Sequence, residues 1–127
     1  MRKPAGPREI PPPLEMECLK ALWDLGEANV HQVREHLAPS RPLAYTTVMT
    51  LLERLAKRGR AARRKQGRGF VYKPEVTREA MQTLAVQTLA TTLFEGSVEA
   101  LMNHLRSEQP VLEEAVHTDA DMDATLL

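Results

Sequence analysis

The sequence contains little cysteine, few aromatic residues and no long apolar segment. Its single cysteine, Cys18, excludes an intramolecular disulfide bond and a cysteine-rich metal site. The position of Cys18 within an apolar helical pattern predicts a buried, unreactive thiol. No segment approaches the roughly 18 consecutive apolar residues that a transmembrane helix needs, and the basic N-terminus lacks the apolar stretch of a secretory signal. We therefore expect a cytoplasmic protein that does not enter the membrane.

The residue constellations of an enzyme are also missing. There is no paired carboxylate, no nucleophile beside a base and no glycine-rich phosphate loop ahead of a helix. His31 and His36 are five residues apart, so they lie on different faces of a helix and do not form a metal site. Asp119, Asp121 and Asp123 alternate as at the start of a calcium loop, but the glycine and distal glutamate of such a loop are absent. We predict no enzymatic activity, no cofactor and no metal.

The net charge of zero conceals a strong asymmetry. Residues 1–76 contain 15 Lys and Arg against 8 Asp and Glu, whereas residues 77–127 contain 2 against 9. From Arg54 to Lys73 there are nine basic residues and no acidic one. Because a solvated face normally mixes charges of both signs, such a segment indicates a polyanionic partner. The 43% of hydrophobic residues suffice for a core, so we expect a folded protein that binds nucleic acid at one end.

The N-terminal third predicts an arm and two helices. Residues 1–12 are rich in proline and are expected to be a disordered arm. A first helix begins at Pro13 and runs to about Leu25, with Gly26 ending it. Asn29 and Gln32 form a capping-box pattern for a second helix that continues to Ala38. The predicted inward faces contain Leu14, Cys18, Leu19, Leu22 and Trp23 in the first helix, and Val30, Val33 and Leu37 in the second.

The segment from Ala44 to Gly59 has the pattern of a recognition helix. Val48, Leu51, Leu52 and Leu55 recur at the spacing of one apolar helical face. The opposite face begins with small hydroxyl side chains and continues with charged ones, among which we expect Glu53 to pair with Lys57. Slim N-terminal residues can reach base edges, while later cations neutralise phosphates. The residues on or beside this face are Thr46, Thr47, Thr50, Glu53, Arg54, Lys57 and Arg58.

A basic β-hairpin is predicted directly after this helix. Residues 60–65 and 69–73 flank a Gln66-Gly67-Arg68 turn, and Phe70 and Tyr72 share one face of the second strand. The tip of the hairpin carries Lys65 and Arg68. Helix, short helix, turn, longer helix and basic hairpin together predict a winged helix-turn-helix domain over residues 13–75.

The C-terminal part predicts a helical dimerisation region over residues 76–108. Thr77 is a predicted N-cap for a helix from about Arg78 to Phe94, and Ser97 caps another after Gly96. The two helices are too apolar to be covered by the remaining chain, so we expect a homodimer. Residues 109–127 are an acidic, weakly patterned tail. The predicted dimerisation residues are Met81, Leu84, Leu89, Leu93, Phe94, Val98, Leu101, Met102 and Leu105.

Four segments resemble the BlaI/MecI family of bacterial repressors, also known as penicillinase repressors. The similarity covers about residues 14–108 and lies in LKALWDLGEANVHQV, LAYTTVMTLLERLAKRG, GRGFVYKP and LFEGSVEALMNHL. The resemblance implies a mainly α protein with a small β-hairpin, which binds a palindromic operator as a homodimer and represses transcription. Family members commonly control β-lactamase or penicillin-binding-protein genes. A sensor-linked protease is a further partner in some of them.

The resemblance also assigns roles to individual residues. Thr46, Thr47 and Thr50 fall where the family's recognition helix meets base edges. Phosphate contacts are implied for Arg54, Lys57, Lys65 and Arg68. With neighbouring cations included, the predicted DNA-binding set is Arg41, Thr46, Thr47, Thr50, Arg54, Lys57, Arg58, Arg63, Lys65 and Arg68.

The sequence departs from the family pattern at three places. The first wing strand usually carries apolar residues, where this chain has Arg60 and Ala61. Members that are switched by proteolysis are cut at an Asn-Phe bond, and the corresponding pair here is Asn103-His104, which keeps only the asparagine. Copper-responsive relatives have a C-terminal Cys-x-Cys pair, so the absence of cysteine from this tail excludes copper control.

Two other binding functions compete with repression. A non-specific architectural or RNA-binding protein could use the same basic surface, but RNA platforms need exposed aromatic residues, which are 4% of this chain. A winged helix that only binds proteins would be expected to have a neutral or acidic third helix and wing. The basic stretch favours DNA over both alternatives.

Overall fold

A computed structural model describes residues 9–107. It contains four helices in order, α1 (Pro13–Leu25), α2 (Val30–Leu37), α3 (Tyr45–Lys57) and α4 (Arg78–Leu93), and residues 98–107 form a further helix, α5. Three strands, β1 (Ala28–Asn29), β2 (Ala61–Gln66) and β3 (Gly69–Pro74), make one antiparallel sheet in the order β1-β3-β2. The predicted mainly helical fold with a β-hairpin is confirmed. The predicted arm over residues 1–12 falls mostly, and the tail over residues 109–127 wholly, outside the described residues.

The chain separates into two compact units, residues 1–85 and residues 86–127, and the division falls within α4. In the first unit, α1, α2 and α3 surround one core. The side chains of Leu19, Leu22, Val33, Leu52 and Leu55 are fully buried there. These residues lie on the apolar faces that the helical spacing predicts, whereas Leu14 and Trp23 of the predicted α1 face are only partly buried and pack against the core.

The helix ends follow local chemistry. The Asn29 side chain accepts a hydrogen bond from the Gln32 amide, and the Gln32 side chain accepts one from the Asn29 amide, both at 2.8 Å. Thr77 Oγ1 accepts from the Ala80 amide and Ser97 Oγ from the Ala100 amide, both at 3.0 Å. All three predicted caps are confirmed, and each satisfies an amide that the helix itself leaves without an acceptor.

The sheet contains one strand that the sequence pattern does not predict. Ala28 and Asn29 pair with Tyr72 and Val71 of β3, so the wing hairpin becomes a three-stranded sheet. Two residues are too few to show the alternation that identifies a strand in a sequence. The hairpin turn is also tighter than predicted, because Gln66 pairs with Gly69 and leaves two loop residues. Gly67 is the first of them, with φ 63°, a conformation that glycine adopts without strain.

Candidate nucleic-acid interface

Helix α3 presents two chemically opposite sides. Its residues Val48, Leu51, Leu52 and Leu55 are at most 5% exposed and close the core. On the other side, Thr46, Thr47 and Thr50 are all exposed. Since the core fixes one side of the helix, the three hydroxyl side chains are held outward on a rigid element rather than on a loop.

Exposed cations extend this side toward the wing. Arg54, Lys57 and Arg58 follow the threonines at the end of α3, and Lys65 and Arg68 lie at the wing tip. Within residues 9–107, none of these five cations lies within 4.0 Å of an acidic group. Arg41, in the turn before α3, is exposed and equally unpaired over the same range. We call the threonines of α3 and these six cations the basic face.

Arg60 does not belong to the basic face, although it was counted among the nine cations of the basic stretch. It is 6% exposed, and its Nη1 lies 3.8 Å from Oε1 of Glu15, which is 4% exposed. Its Nη2 donates a hydrogen bond of 2.9 Å to the carbonyl of Glu9. Gly59, with φ 80°, turns the chain inward just before it. Arg60 therefore stands at a core position, where the family pattern has an apolar residue.

Two wing arginines are engaged by acidic residues. Arg64 contacts Glu27 at 2.9 Å, and Nη1 of Arg63 lies 4.0 Å from Oε2 of Glu53. The expected pairing of Glu53 with Lys57 is therefore wrong. Pairing across to β2 is favoured because the Arg63 guanidinium is also held 4.1 Å above the ring of Phe70. Arg63, which was predicted to bind DNA, thus lies beside the basic face, and Glu53 partly neutralises its charge.

Tyr72 supports this part of the wing from inside. It is 1% exposed, and it pairs across the sheet with Arg63. Burial raises the pKa of its hydroxyl group, and the positive charge of Arg63 opposes that rise. The phenol is therefore neutral at physiological pH, and the buried ring packs the wing strand β3 against the core.

A contact between two rings at the start of α3 is not predicted by the sequence. The rings of His31 and Tyr45 meet edge to face with centroids 5.1 Å apart, and Tyr45 is 40% exposed. The two residues line a pocket of about 230 Å³ together with Gly69 and Val71. In the sequence, His31 stands out only as a candidate metal ligand beside His36. No signal in the sequence joins it to a tyrosine 14 positions away.

Within residues 9–107, no group of three or more His, Cys, Asp or Glu residues could hold a metal ion. The aspartates at 119, 121 and 123 lie outside the described residues. Burial is the main cause that raises the pKa of the Cys18 thiol to about 12, from an ordinary value of 9.0, with Glu15 and Glu17 adding to it. The thiol is therefore protonated and inert at neutral pH, as its position in an apolar pattern predicts.

The predicted dimerisation residues occupy different environments. In the first unit, Met81 is 4% exposed within the core and is not available to a partner, whereas Leu84 is half-buried and packs against the core. In the second unit, Leu101 is 5% exposed and Phe94 is half-buried, its ring 5.5 Å from that of His104. Among the described residues of that unit, 86–107, the exposed large apolar residues are Val86, Leu89, Leu93, Val98, Met102 and Leu105, of which Val86 was not among the predicted set.

The predicted proteolytic pair lies within helix α5. Asn103 is exposed, and its Oδ1 accepts a hydrogen bond of 2.9 Å from Arg106 while its carbonyl accepts one from Ser107. His104 is exposed and contacts Phe94 through its ring.

Over the described residues, no helix is long and apolar enough to cross a bilayer.

Comparison with known proteins identifies the family. A family model described as penicillinase repressor matches residues 12–118. The chain belongs to the penicillinase repressor family. Transcriptional regulator BlaI of Mycobacterium tuberculosis is 40% identical over 93 residues, which are 72% of this chain and 67% of that protein. The penicillinase repressor of Bacillus licheniformis is 27% identical over 96 residues, or 75% of each chain.

The family assignment extends to the fold. The solution structure of the DNA-binding domain of the repressor BlaI matches with a TM-score of 0.52 and 28% identity, covering 60% of this chain and 93% of that domain. The penicillinase repressor family is one of DNA-binding transcriptional repressors, and its winged helix is the fold found here. The predicted resemblance and fold class are both confirmed.

Proposed function

We propose that this protein is a homodimeric repressor that binds a palindromic operator through the basic face and blocks transcription sterically. The observation that carries the proposal is that the basic face combines three exposed threonines on α3 with six exposed cations, none of which is paired with an acidic group among residues 9–107. Small hydroxyl side chains fit the major groove, and cations on both sides of it meet phosphates.

The division of labour within the basic face follows from side-chain chemistry. Thr46, Thr47 and Thr50 read base edges through hydroxyl groups and through methyl contacts with thymine. Each such contact is weak compared with a bidentate arginine contact, so phosphate contacts supply much of the affinity. We assign these to Arg41, Arg54, Lys57, Arg58, Lys65 and Arg68, with Arg63 joining them when it leaves Glu53.

Dimerisation is proposed from the second unit. Six large apolar side chains are exposed within residues 86–107 of that unit, and Leu93 and Leu105 are 66% and 61% exposed. A second copy that covers them would bury apolar surface on both chains, and the resulting dimer would carry two α3 helices. Two such helices would enter successive major grooves about one helical turn apart.

The regulated genes are proposed from the family. The names of the family and of the Bacillus licheniformis relative refer to penicillinase, so we propose that this chain acts in the cytoplasm on genes of a β-lactam response. A sensor-linked protease is one candidate for relieving repression at Asn103-His104, and this pair keeps only the asparagine of the Asn-Phe bond that is cut in members switched by proteolysis. A protease would first have to open α5, because Asn103 lies within its hydrogen-bonded turns.

The proposal is tested by binding the purified protein to fragments of its own genome and footprinting the strongest site. We expect a protected palindrome of about 20–30 base pairs upstream of a gene, because a dimer places two recognition helices on one side of the duplex. The gene next to it would identify the regulated pathway. Uniform coverage without a preferred site would reject the repressor and favour a non-specific architectural protein.

A further inference from the structure

Glu53 is an acidic residue in a region that is otherwise basic or neutral. It is the only Asp or Glu between Glu35 and Glu75 in the sequence. On α3 it follows Thr50 by three residues and precedes Lys57 by four, so it shares their exposed side. Its side chain is 48% exposed and free to meet a ligand. An acid in this position opposes the binding of any polyanion to the basic face.

The surroundings of Glu53 form a groove between α3 and the wing. The groove has a volume of about 570 Å³, with Ala56, Ala61 and Ala62 as small lining residues. Its charged lining consists of Glu53, Lys57 and Arg63. Arg63 is shared between the Glu53 carboxylate, at 4.0 Å, and the Phe70 ring, at 4.1 Å. The acid therefore engages one exposed wing cation on the side of α3 that carries the threonines.

Stability does not account for this arrangement. Both partners are more than 40% exposed, and an exposed ion pair of this length contributes little to folding. An unopposed cation at position 53 would strengthen binding to every duplex alike, since phosphates carry no sequence information. A carboxylate does the reverse, because it repels phosphate and accepts a hydrogen bond from a base amino group such as N4 of cytosine.

We propose that Glu53 is a specificity-determining residue, which disfavours duplexes that bring a phosphate to the groove between α3 and the wing and favours those that present a base amino group there. The inference rests on the proposed DNA-binding function and deepens it. On a non-specific duplex, Arg63 stays with Glu53 and the carboxylate repels the backbone. On the operator, a base amino group donates a hydrogen bond to the Glu53 carboxylate, and Arg63 is then free to contact a phosphate. Specificity then comes from a repulsive element as well as from attraction.

The test uses a site selected from random duplexes with the wild-type protein, and a scrambled duplex of the same composition. Glu53→Gln should bind the scrambled duplex roughly fivefold more tightly, the effect of removing one close like-charge contact in water. Its affinity for the selected site should rise less or fall, so the ratio of the two affinities decreases. Glu79→Gln is the matched control, because it removes the same charge from an exposed position in the first turn of α4.

The salt dependence supplies a second readout. With Arg63 released from Glu53, non-specific binding by Glu53→Gln should depend more steeply on salt, by about one counterion per site. Repeating the selection with Glu53→Gln should identify the contacted base pair as the position whose preference is lost. Glu53→Asp, which keeps the charge, should retain most of the wild-type ratio.

The outcomes separate the two proposals. An affinity ratio that is the same for wild type, Glu53→Gln and Glu79→Gln would overturn the role of Glu53 while leaving the repressor intact. A wild-type protein that selects no sequence at all would instead reject the proposed function.

Discussion

Arginine has two opposite roles in this molecule, and they occur two residues apart. Arg58 is exposed at the end of α3, whereas Arg60 is buried against Glu15. The Arg60 backbone is equally engaged, since its amide donates to the Leu55 carbonyl and its own carbonyl accepts from the Glu75 amide, at 2.8 and 2.9 Å. Arg60 thereby joins α1, α3 and the end of β3 at the root of the wing.

We expect Arg60→Met to destabilise the protein by about 3–5 kcal/mol, because it leaves the buried carboxylate of Glu15 without a partner. The double variant Glu15→Leu/Arg60→Met should recover most of the loss, since an apolar pair of similar size has no charge to desolvate. Urea unfolding measures both free energies. Arg58→Met, an exposed neighbour, should change stability by no more than about 0.5 kcal/mol. If the single variant lost no more stability than the double, the ion pair would have no role in the core.

The burial of Arg60 illustrates what the sequence could and could not show at this scale. Charge counting included Arg60 in the basic stretch, because counting treats every arginine as exposed, although Arg60 was not in the predicted DNA-binding set. The one available signal was comparative, namely that the family has an apolar residue at this wing position. The partner Glu15 lies 45 positions away, and no local pattern predicts that contact. The same holds for Glu53, which pairs with Arg63 across the groove and not with Lys57, its neighbour at i+4.

The elements themselves were largely predictable. The helix starts at Val30 and Arg78 coincide with the predicted caps, since caps are local chemistry between residues three apart. Helix α1 starts at Pro13, as a proline at the first helical position predicts. The strand β1 was missed because it exists only through its pairing with β3. Sequence patterns therefore predicted the elements that depend on local interactions. They did not predict β1, which depends on pairing with a strand distant in the sequence.

The wing is the element whose contribution to binding is easiest to separate. Lys65→Ala and Arg68→Ala should each weaken binding to selected and scrambled duplexes alike, and each should reduce the salt slope by about 1. Binding measured at several salt concentrations gives both quantities. Lys20→Ala is the control, because it removes a cation of α1 that lies 3.7 Å from Glu17. An unchanged slope in both wing variants would mean that the wing tip does not touch the DNA backbone.

At the scale of the whole molecule, the charge asymmetry and the exposed apolar residues assign the two proposed functions, DNA binding and dimerisation, to different units. The first unit carries the basic face, and the second carries the surface proposed for dimerisation. The structure also sharpens which residues can test that surface. Leu101 is 5% exposed, so an aspartate there would disrupt its own unit rather than an interface.

Leu93→Asp and Leu105→Asp should therefore dissociate the dimer, because each places a charge on a surface that a second copy covers. Sedimentation should show a monomer, and operator binding should weaken since the second half-site is no longer coupled to the first. Leu25→Asp alters a leucine of the first unit that is 41% exposed and should leave the dimer intact. Dimers that survive both substitutions in the second unit would locate the interface elsewhere.

Trp23 gives the protein a built-in optical reporter. It is the only tryptophan in the chain, and its indole Nε1 donates a hydrogen bond of 2.8 Å to the carbonyl of Val76. Its fluorescence therefore follows the first unit alone, whereas circular dichroism follows the helices of both. Comparing the two signals during unfolding would show whether the DNA-binding and dimerisation units melt together or one after the other, without any label being attached.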